Sequence, residues 1–492
     1  MAASRTGSAV VAPASAASAA ASPSPVSAAE KPSIARAGLY GLFALPLAFA
    51  ALPLYVQWPA HAAGTWGMPL AVLGALLLAV RVTDAFVDPW IGARIDRLFA
   101  RSSRLAWAAA GSGAACIACG MAALMFAPAD VAARPGALLA WAAAALMLTS
   151  LGYSVAMVTH QAWAVRLGGG ATEQARWVGA REALALAGVI VASLLPSSMG
   201  WPVTLAVLAV LLALAWWALG LVPPAAGGAV PTGEARIPAA PALSAARRNP
   251  WRDAGFRRLL GVVMVSGLAS AIPASLVVLY VRDLLQAGGP AEGWVLGLYF
   301  AAAAAGMPLW VRAISRYGLV PCWMAGMWLA IAAFAGAAAL GPGDLAWFSI
   351  VCLASGLALG AELVAPPALL AGLIRQRQSA PVDVANVADA PRDGDATGPA
   401  HGVEGLWFGW WNFATKLTLA AAAGLALPLL QWLGYSPGAR DSGALMALAF
   451  CYALLPCFFK AAAALLLWKH RHSWPMATLA SNPPPARVLE GS

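Results

Sequence analysis

The stretch "LAVLGALLLAVRVTDAFVDPWIGARIDR" covers residues 70–97. From Leu70 to Val80 it carries no charge; then come Arg81, Asp84, Asp88, Asp96 and Arg97. An apolar run of this kind predicts a membrane helix, and the helix continues into the charged part. Residues at i and i+4 share a helix face, so Asp84 and Asp88 point the same way. With the helix ending near Asp96, Asp88 lies about 12 Å and Asp84 about 18 Å from that end. In a hydrocarbon core about 30 Å thick, Asp84 is near the midplane. A charge there costs several kcal/mol unless it is paired or hydrated. Two carboxylates on one face also repel, so the face must hold a proton, a metal cation or a basic side chain. Asp84 and Asp88 are therefore candidate cation-binding residues, with Na as one candidate ion. Arg81, one turn away, can supply part of the counter-charge.

The rest of the chain has the same character. Of 492 residues, 61% are hydrophobic and only 10% charged, where soluble domains are about a quarter charged. Apolar runs long enough to cross a bilayer recur, at 38–58, 68–92, 106–127, 137–163, 178–197, 201–222, 257–281, 293–313, 319–340, 346–374, 404–433 and 444–468. The expected fold is an all-α membrane protein with twelve transmembrane helices in two six-helix bundles. A β-barrel would instead show short alternating segments.

Charge placement supports the alternation of spans. Most of the 30 Lys and Arg residues fall on one side. The other side keeps Arg134, Arg282 and Arg440, while Arg81, Lys416 and Lys460 lie in or near spans. The positive-inside rule puts both termini in the cytoplasm. The net charge of +10 thus follows the membrane rather than nucleic acid, for which no site is expected. Residues 1–36 are Ala/Ser/Pro-rich and read as a disordered cytoplasmic tail. An N-terminal six-helix bundle (37–222), a cytoplasmic linker (223–253), a C-terminal bundle (254–470) with a flexible loop at 375–402, and a tail (471–492) follow. Cys116 and Cys119 form a CxxC inside the third span, which is better read as small residues at helix spacing than as a metal or redox site. Six spans on either side of a central linker suggest two related halves. "IDRLFARSSRLAW" after span two and "ISRYGLVPCW" after span eight carry Arg97 and Arg316 in like positions, with Ser315 in place of the acid.

A second charge lies deep in the last third. In "HGVEGLWFGWWNFATKLTLAAAAGLALPLLQWLGY", Lys416 is again about 18 Å into its span. A buried lysine without an acid is costly. An ion pair of Lys416 with Asp84 and Asp88 would bridge the two halves, and a bound cation would compete with Lys416 for the carboxylates. A static salt bridge that only locks helices is the alternative. Asp96 and Arg97, at the end of their span, read either as a gating latch or as a solvated turn. Tyr153, Thr159, His160, Gln161 and Trp163 cluster in span four and are candidate substrate-binding residues, although a lone His160 fits a satisfied core histidine as well. Arg181 begins span five, and Glu362 in "ALGAELVAPPALL" sits beside Pro366 and Pro367, a plausible hinge or site. No phosphate-binding loop, nucleophile elbow or metal-ligand array is present, so the chain is not expected to be an enzyme.

These stretches resemble the glycoside-pentoside-hexuronide:cation symporters, the melibiose-carrier-like group of the major facilitator superfamily. The matching segments are "RVTDAFVDPWIGARIDR" (81–97), "GLASAIPASLVVLYVRDLL" (267–285), "SGLALGAELVAPPALL" (355–370) and "EGLWFGWWNFATKLTLA" (404–420). The likeness extends over most of residues 37–470. It implies two six-helix bundles, alternating access, and coupling of sugars to sodium, lithium or protons. It also implies cation-site roles for Asp84 and Asp88, a helix XI lysine role for Lys416, and sugar contacts for Arg181 and Trp163. Two sugar-binding acids of the family are missing: the first span, Gly41 to Gln57, has none, and the helix IV position falls at Thr159.

The expected function is a cation-coupled symporter of a sugar, glycoside or related small solute in the bacterial inner membrane. No cofactor is expected. The partners are the solute, H or Na, and the bilayer, and a monomer is expected. Proton coupling is preferred, because only Asp84 and Asp88 are evident oxygen ligands. A proton-driven exporter or a lipid or lysolipid transporter of the same fold is the alternative, with a non-transporting sensor behind them.

Overall fold

A computed structural model describes residues 33–224, 249–287, 290–379, 402–436, 438–471 and 474. Most of the segments expected to be tails, linker and loop (1–36, 223–253, 375–402 and 471–492) lie outside the described residues.

The described residues form helices and no strand. We number the long helical segments in chain order. The first, α1 (34–66), runs through Ile34–Gly41, Ala44–Leu52, a π-turn at Pro53–Gln57 and Trp58–Trp66. Then come α2 (Leu70–Arg101), α3 (Ser103–Met125) and α4 (Pro135–Arg166). The run Ala171–Gly220 is broken at Gly200, whose φ of 76° is a left-handed value that glycine adopts without steric cost. It therefore divides into α5 (171–199) and α6 (201–220). The second half holds α7 (Ala254–Leu284), α8 (Pro290–Tyr317), α9 (Leu319–Ala337), α10 (Leu345–Ser379), α11 (Glu404–Trp432) and α12 (Ser442–Lys469). Among the described residues, nine helices are long and apolar enough to cross a membrane, and the order as a whole is consistent with twelve crossings. The first helix begins at Ile34, where the Ser33 hydroxyl accepts the Arg36 N–H at 3.2 Å. Residues 34–36, expected in the tail, are thus helical.

Prolines sit inside α2 (Pro89), α7 (Pro273), α8 (Pro308), α10 (Pro366, Pro367) and α11 (Pro428). Packed neighbours and π-turns make such interruptions tolerable at membrane depth. Four helix starts are capped by the preceding side chain: Ser33 at α1, Ser102 at α3, Asp253, which accepts the Phe256 N–H (2.8 Å), at α7, and Asp441, which accepts the Ala444 N–H (2.9 Å), at α12. Helix α11 differs. Its N-cap residue Val403 offers no side-chain acceptor, and the cap arrives from α2, as described below.

Within the first half, α3 packs on α4 and α1 on α5. In the second, α10 packs on α8 and α9, and α7 on α11 and α12. The halves meet where α2 lies against α11 and α5 against α8 and α10. The α2–α11 contact is a backbone approach. A Cβ on Gly92 would lie 2.0 Å from the Gly405 carbonyl oxygen, and one on Gly405 2.4 Å from the Gly92 oxygen. In lipid, small residues at a crossing give the van der Waals contact that apolar bulk alone cannot.

Candidate functional site

Pro89 does not interrupt α2, so Asp84 and Asp88 remain on one face, and that face meets α11. The Lys416 Nζ lies 2.6 Å from Asp84 Oδ2 and 2.7 Å from Asp88 Oδ2. Ser154 of α4 donates to Asp84 Oδ1 at 2.7 Å and accepts from Lys416 at 2.9 Å. Both aspartates are fully buried, whereas the lysine side chain is 22% exposed. The cluster therefore joins three helices, two from the first half and one from the second, and is reached from the lysine side. Two carboxylates and one ammonium leave one negative charge in excess when all are ionised. The oxygens of Asp84, Asp88 and Ser154 gather around Nζ, so the ammonium is the cation that this cluster holds.

Below the cluster, toward the C-terminal end of α2, the halves are tied at two further levels. Gln161 of α4 and Asn412 of α11 exchange reciprocal amide hydrogen bonds, at 3.2 and 3.0 Å. At the helix ends, Asp96 accepts the backbone N–H groups of Gly405 (2.7 Å) and Leu406 (2.9 Å). This caps α11 from across the molecule, where a carboxylate also meets the positive end of the helix dipole. Arg166, at the end of α4, bonds Glu404 at 2.6 Å, lies 3.6 Å from Asp96, and stacks on Phe99 at 4.3 Å.

The other expected site residues are distributed differently. Arg81 is exposed on α2 and Arg97 is exposed at its end; the arginine beside Asp96 is Arg166. Thr159 bonds back to the Val155 carbonyl at 2.7 Å. His160 Nε2 lies 2.9 Å from the Tyr40 carbonyl oxygen, and the Tyr40 hydroxyl donates to the His160 carbonyl. Trp163 donates to the Val222 carbonyl at 2.7 Å and packs on Phe99. These three side chains are buried inside the first half. Tyr153 is half-buried, and Gln161 bonds across to the second half. Arg181 is buried beside Glu182, its Nε 2.8 Å from Glu182 Oε1.

Glu362 belongs to a second ionic cluster. Lys460 of α12 reaches Glu362 Oε1 at 2.6 Å, Ser270 Oγ at 2.7 Å, and the Ser266 hydroxyl and carbonyl at 3.2 Å each. Ser270 donates to Glu362 Oε2 at 2.8 Å, and Ser266 donates to Oε1. All four residues lie in the second half. Among the described residues, no group of three or more His, Cys, Asp or Glu is placed to hold a metal ion.

Ser154, Asn412, Arg166 and Glu404 were not singled out from the sequence. Ser154 is seven residues before Gln161 and shares its helix face, and Asn412 is one turn before Lys416. Those spacings are the signal that could have found them. Nothing in sequence pairs Arg166 with Glu404.

This arrangement, two sets of packed apolar helices joined by buried charges, defines a major-facilitator-type membrane transporter. The chain belongs to the MFS/sugar transport protein family, whose model matches residues 39–379 and 399–471. No curated protein matches. Solved structures share the fold at low identity. A bacterial homologue of the iron transporter ferroportin, in an outward-facing state, has a TM-score of 0.60 at 14% identity, covering 89% of this chain and 98% of the other. The E. coli fucose:proton symporter gives 0.55 at 14%, covering 87% and 97%. The human organic anion transporter MFSD10 gives 0.54 at 18%, covering 87% and 98%. The protein is thus an integral membrane protein of a transporter family, which is not an enzyme class.

Proposed function

We propose that this protein is a cation-coupled symporter of a sugar, glycoside or related small solute, working by alternating access. The observation that carries this reading is the buried bridge from Lys416 to Asp84 and Asp88 across the two halves. A proton or a sodium ion taken up by the excess negative charge weakens the attraction that holds Lys416. The α2–α11 contact is then weakened only when the cation is aboard. The ties at Gln161–Asn412 and Asp96–Arg166–Glu404 hold the halves together at the end that the positive-inside rule would turn to the cytoplasm. The family's description as sugar transport proteins and the likeness to a fucose:proton symporter support this reading.

The choice between ions changes with the geometry. Ser154 adds an oxygen to the four of the carboxylates. Hard monovalent cations want about five or six such ligands, by analogy with calcium sites, so ligand number no longer favours the proton. Uptake of labelled sugars and glycosides into proteoliposomes, driven by a sodium gradient at fixed pH or by a proton gradient without sodium, decides the matter. One ion is expected to drive accumulation. Absence of accumulation under either gradient, with inserted protein, would end this reading.

A further inference from the structure

Phe86 and Trp90 follow Asp84 and Asp88 by two residues each, so they point about 200° round the helix from the acids. They face out of the bundle: Phe86 is 69% exposed and Trp90 58%. Single exposed aromatics at a membrane helix end need no special account. These rings are not single. Phe86 of α2 packs on Phe413 of α11 at 5.4 Å between centroids, Phe413 on Trp410 at 5.5 Å, and Trp410 on Trp251 at 5.0 Å. Trp251 stands just before α7. The aromatic arc therefore starts in the first half and ends in the second, crossing the seam where α2 lies against α11.

An arginine stands at each end of the arc. Arg94, one turn beyond Trp90, lies over its ring at 4.4 Å. Arg257 of α7 donates to the Trp251 carbonyl. Both arginines are exposed. The acids of the same stretches turn inward instead: Asp96 caps α11, Glu404 pairs with Arg166, Asp253 caps α7, and all three are buried. Over residues 86–101, 249–258 and 402–413, every exposed charged side chain is an arginine. The surface is thus apolar in the middle and positive at both ends, with no exposed carboxylate to offset it.

We propose that this arc binds an anionic phospholipid of the surrounding bilayer, with its phosphate on the arginines and an acyl chain across Phe86, Trp90 and Phe413. The stack on Trp90 uses the face of the Arg94 guanidinium. Its N–H groups lie in the plane of that fork and stay free for phosphate oxygens. The rings offer an acyl chain apolar area at the level where aromatic side chains meet headgroups. A zwitterionic lipid brings an ammonium toward the same arginines and gains less. Arg94 belongs to one half and Arg257 to the other, so one lipid on the arc joins the halves from outside the bundle. It is a bound component of the closed contact and not a cargo. The inference holds whichever ion or solute the protein carries.

The test titrates full-length protein in detergent with phosphatidylglycerol, and separately with phosphatidylethanolamine of the same acyl chains. Native mass spectrometry counts the bound lipids. One phosphatidylglycerol is expected to bind more tightly than any later one and more tightly than phosphatidylethanolamine. Arg94→Gln and Arg257→Gln are each expected to raise its half-saturating concentration about fivefold, the worth of one basic residue near an anionic lipid surface. Together they should raise it about twenty-five-fold, since distant sites add. Phe86→Ala/Trp90→Ala is expected to weaken the same first binding step. Arg316→Gln removes an arginine set over Tyr317 on α8, outside the arc, and is expected to change nothing, which controls for a general loss of positive charge. Glycerol phosphate, a headgroup without chains, is expected not to displace the lipid. Equal binding of the two lipids overturns the proposal, because rings of an ordinary interfacial belt do not read headgroup charge. Unchanged binding in either Arg94→Gln or Arg257→Gln overturns it too, because the lipid then does not join the halves. Displacement by glycerol phosphate would make this a site for soluble anions, and dimers that Phe86→Ala/Trp90→Ala abolishes would put a second copy of the chain there; each result also overturns it.

Discussion

Asp88 is fully buried, meets Lys416 through Oδ2, and has no hydrogen-bond donor at Oδ1. Asp84, one turn deeper, is held by both Lys416 and Ser154. Asp88 is thus the less satisfied of the two, and under the proposed symport it is where a cation would enter. Asp88→Asn and Asp84→Asn are each expected to abolish gradient-driven accumulation while the protein still inserts; normal accumulation in both variants would reduce the pair to a structural bridge. The two buried lysines should fail in different ways. Lys416→Ala removes a counter-charge from a cluster with an opening, so coupling is expected to fail while folding survives. Lys460→Ala strands Glu362 inside one half. Breaking a buried pair by removing one partner costs about 3–5 kcal/mol, so thermal stability in detergent is expected to drop sharply. Lys460→Met/Glu362→Gln should recover much of that loss. If Lys460→Ala leaves the melting temperature unchanged, the second cluster does not hold that half together.

At the scale of elements, α2 and α11 form a close backbone contact between the halves. Their approach depends on Gly92 and Gly405, and the start of α11 is capped by Asp96 rather than by its own N-cap residue. A single carboxylate thereby ends up bound to the helix of the opposite half. Gly92→Val places side-chain carbons where the Gly405 carbonyl sits, so the two helices must separate. The expected result is a larger distance, read by pulsed EPR without any ligand, between spin labels at the exposed positions Arg101 (α2) and Gln376 (α10); an unchanged distance would mean the contact is not needed for closure. Asp96→Asn keeps the shape but halves the acceptor capacity and removes the charge facing Arg166. A Ser/Thr/Asn/Asp cap is worth about 1 kcal/mol, and charge-assisted bonds about twice that of neutral ones. The closed population is therefore expected to fall about five- to thirtyfold, read by the same labels.

For the whole molecule, the polar contacts along α2 and α11 run from the Asp84–Lys416 pair through Gln161–Asn412 to the Asp96 cap on Gly405 and the Arg166–Glu404 pair. A rigid-body parting must break an ionic, an amide and a capping layer together. Much of the fold was legible in the chain. Apolar length and the one-sided placement of Arg and Lys set the crossings, because burying unpaired backbone in lipid leaves helices as the only option for runs of that length. That Asp84, Asp88 and Lys416 could meet at one level was legible too, because position along a helix follows from residue count. The sequence alone could not say that Ser154 completes the cluster, that Arg166 rather than Arg97 stands beside Asp96, or that Glu362 is already spoken for by Lys460. Those are contacts between residues 70 to 330 positions apart, fixed by how helices rotate and slide against each other. Periodicity determines which face of a helix is polar; only the packed tertiary structure decides which other face it meets.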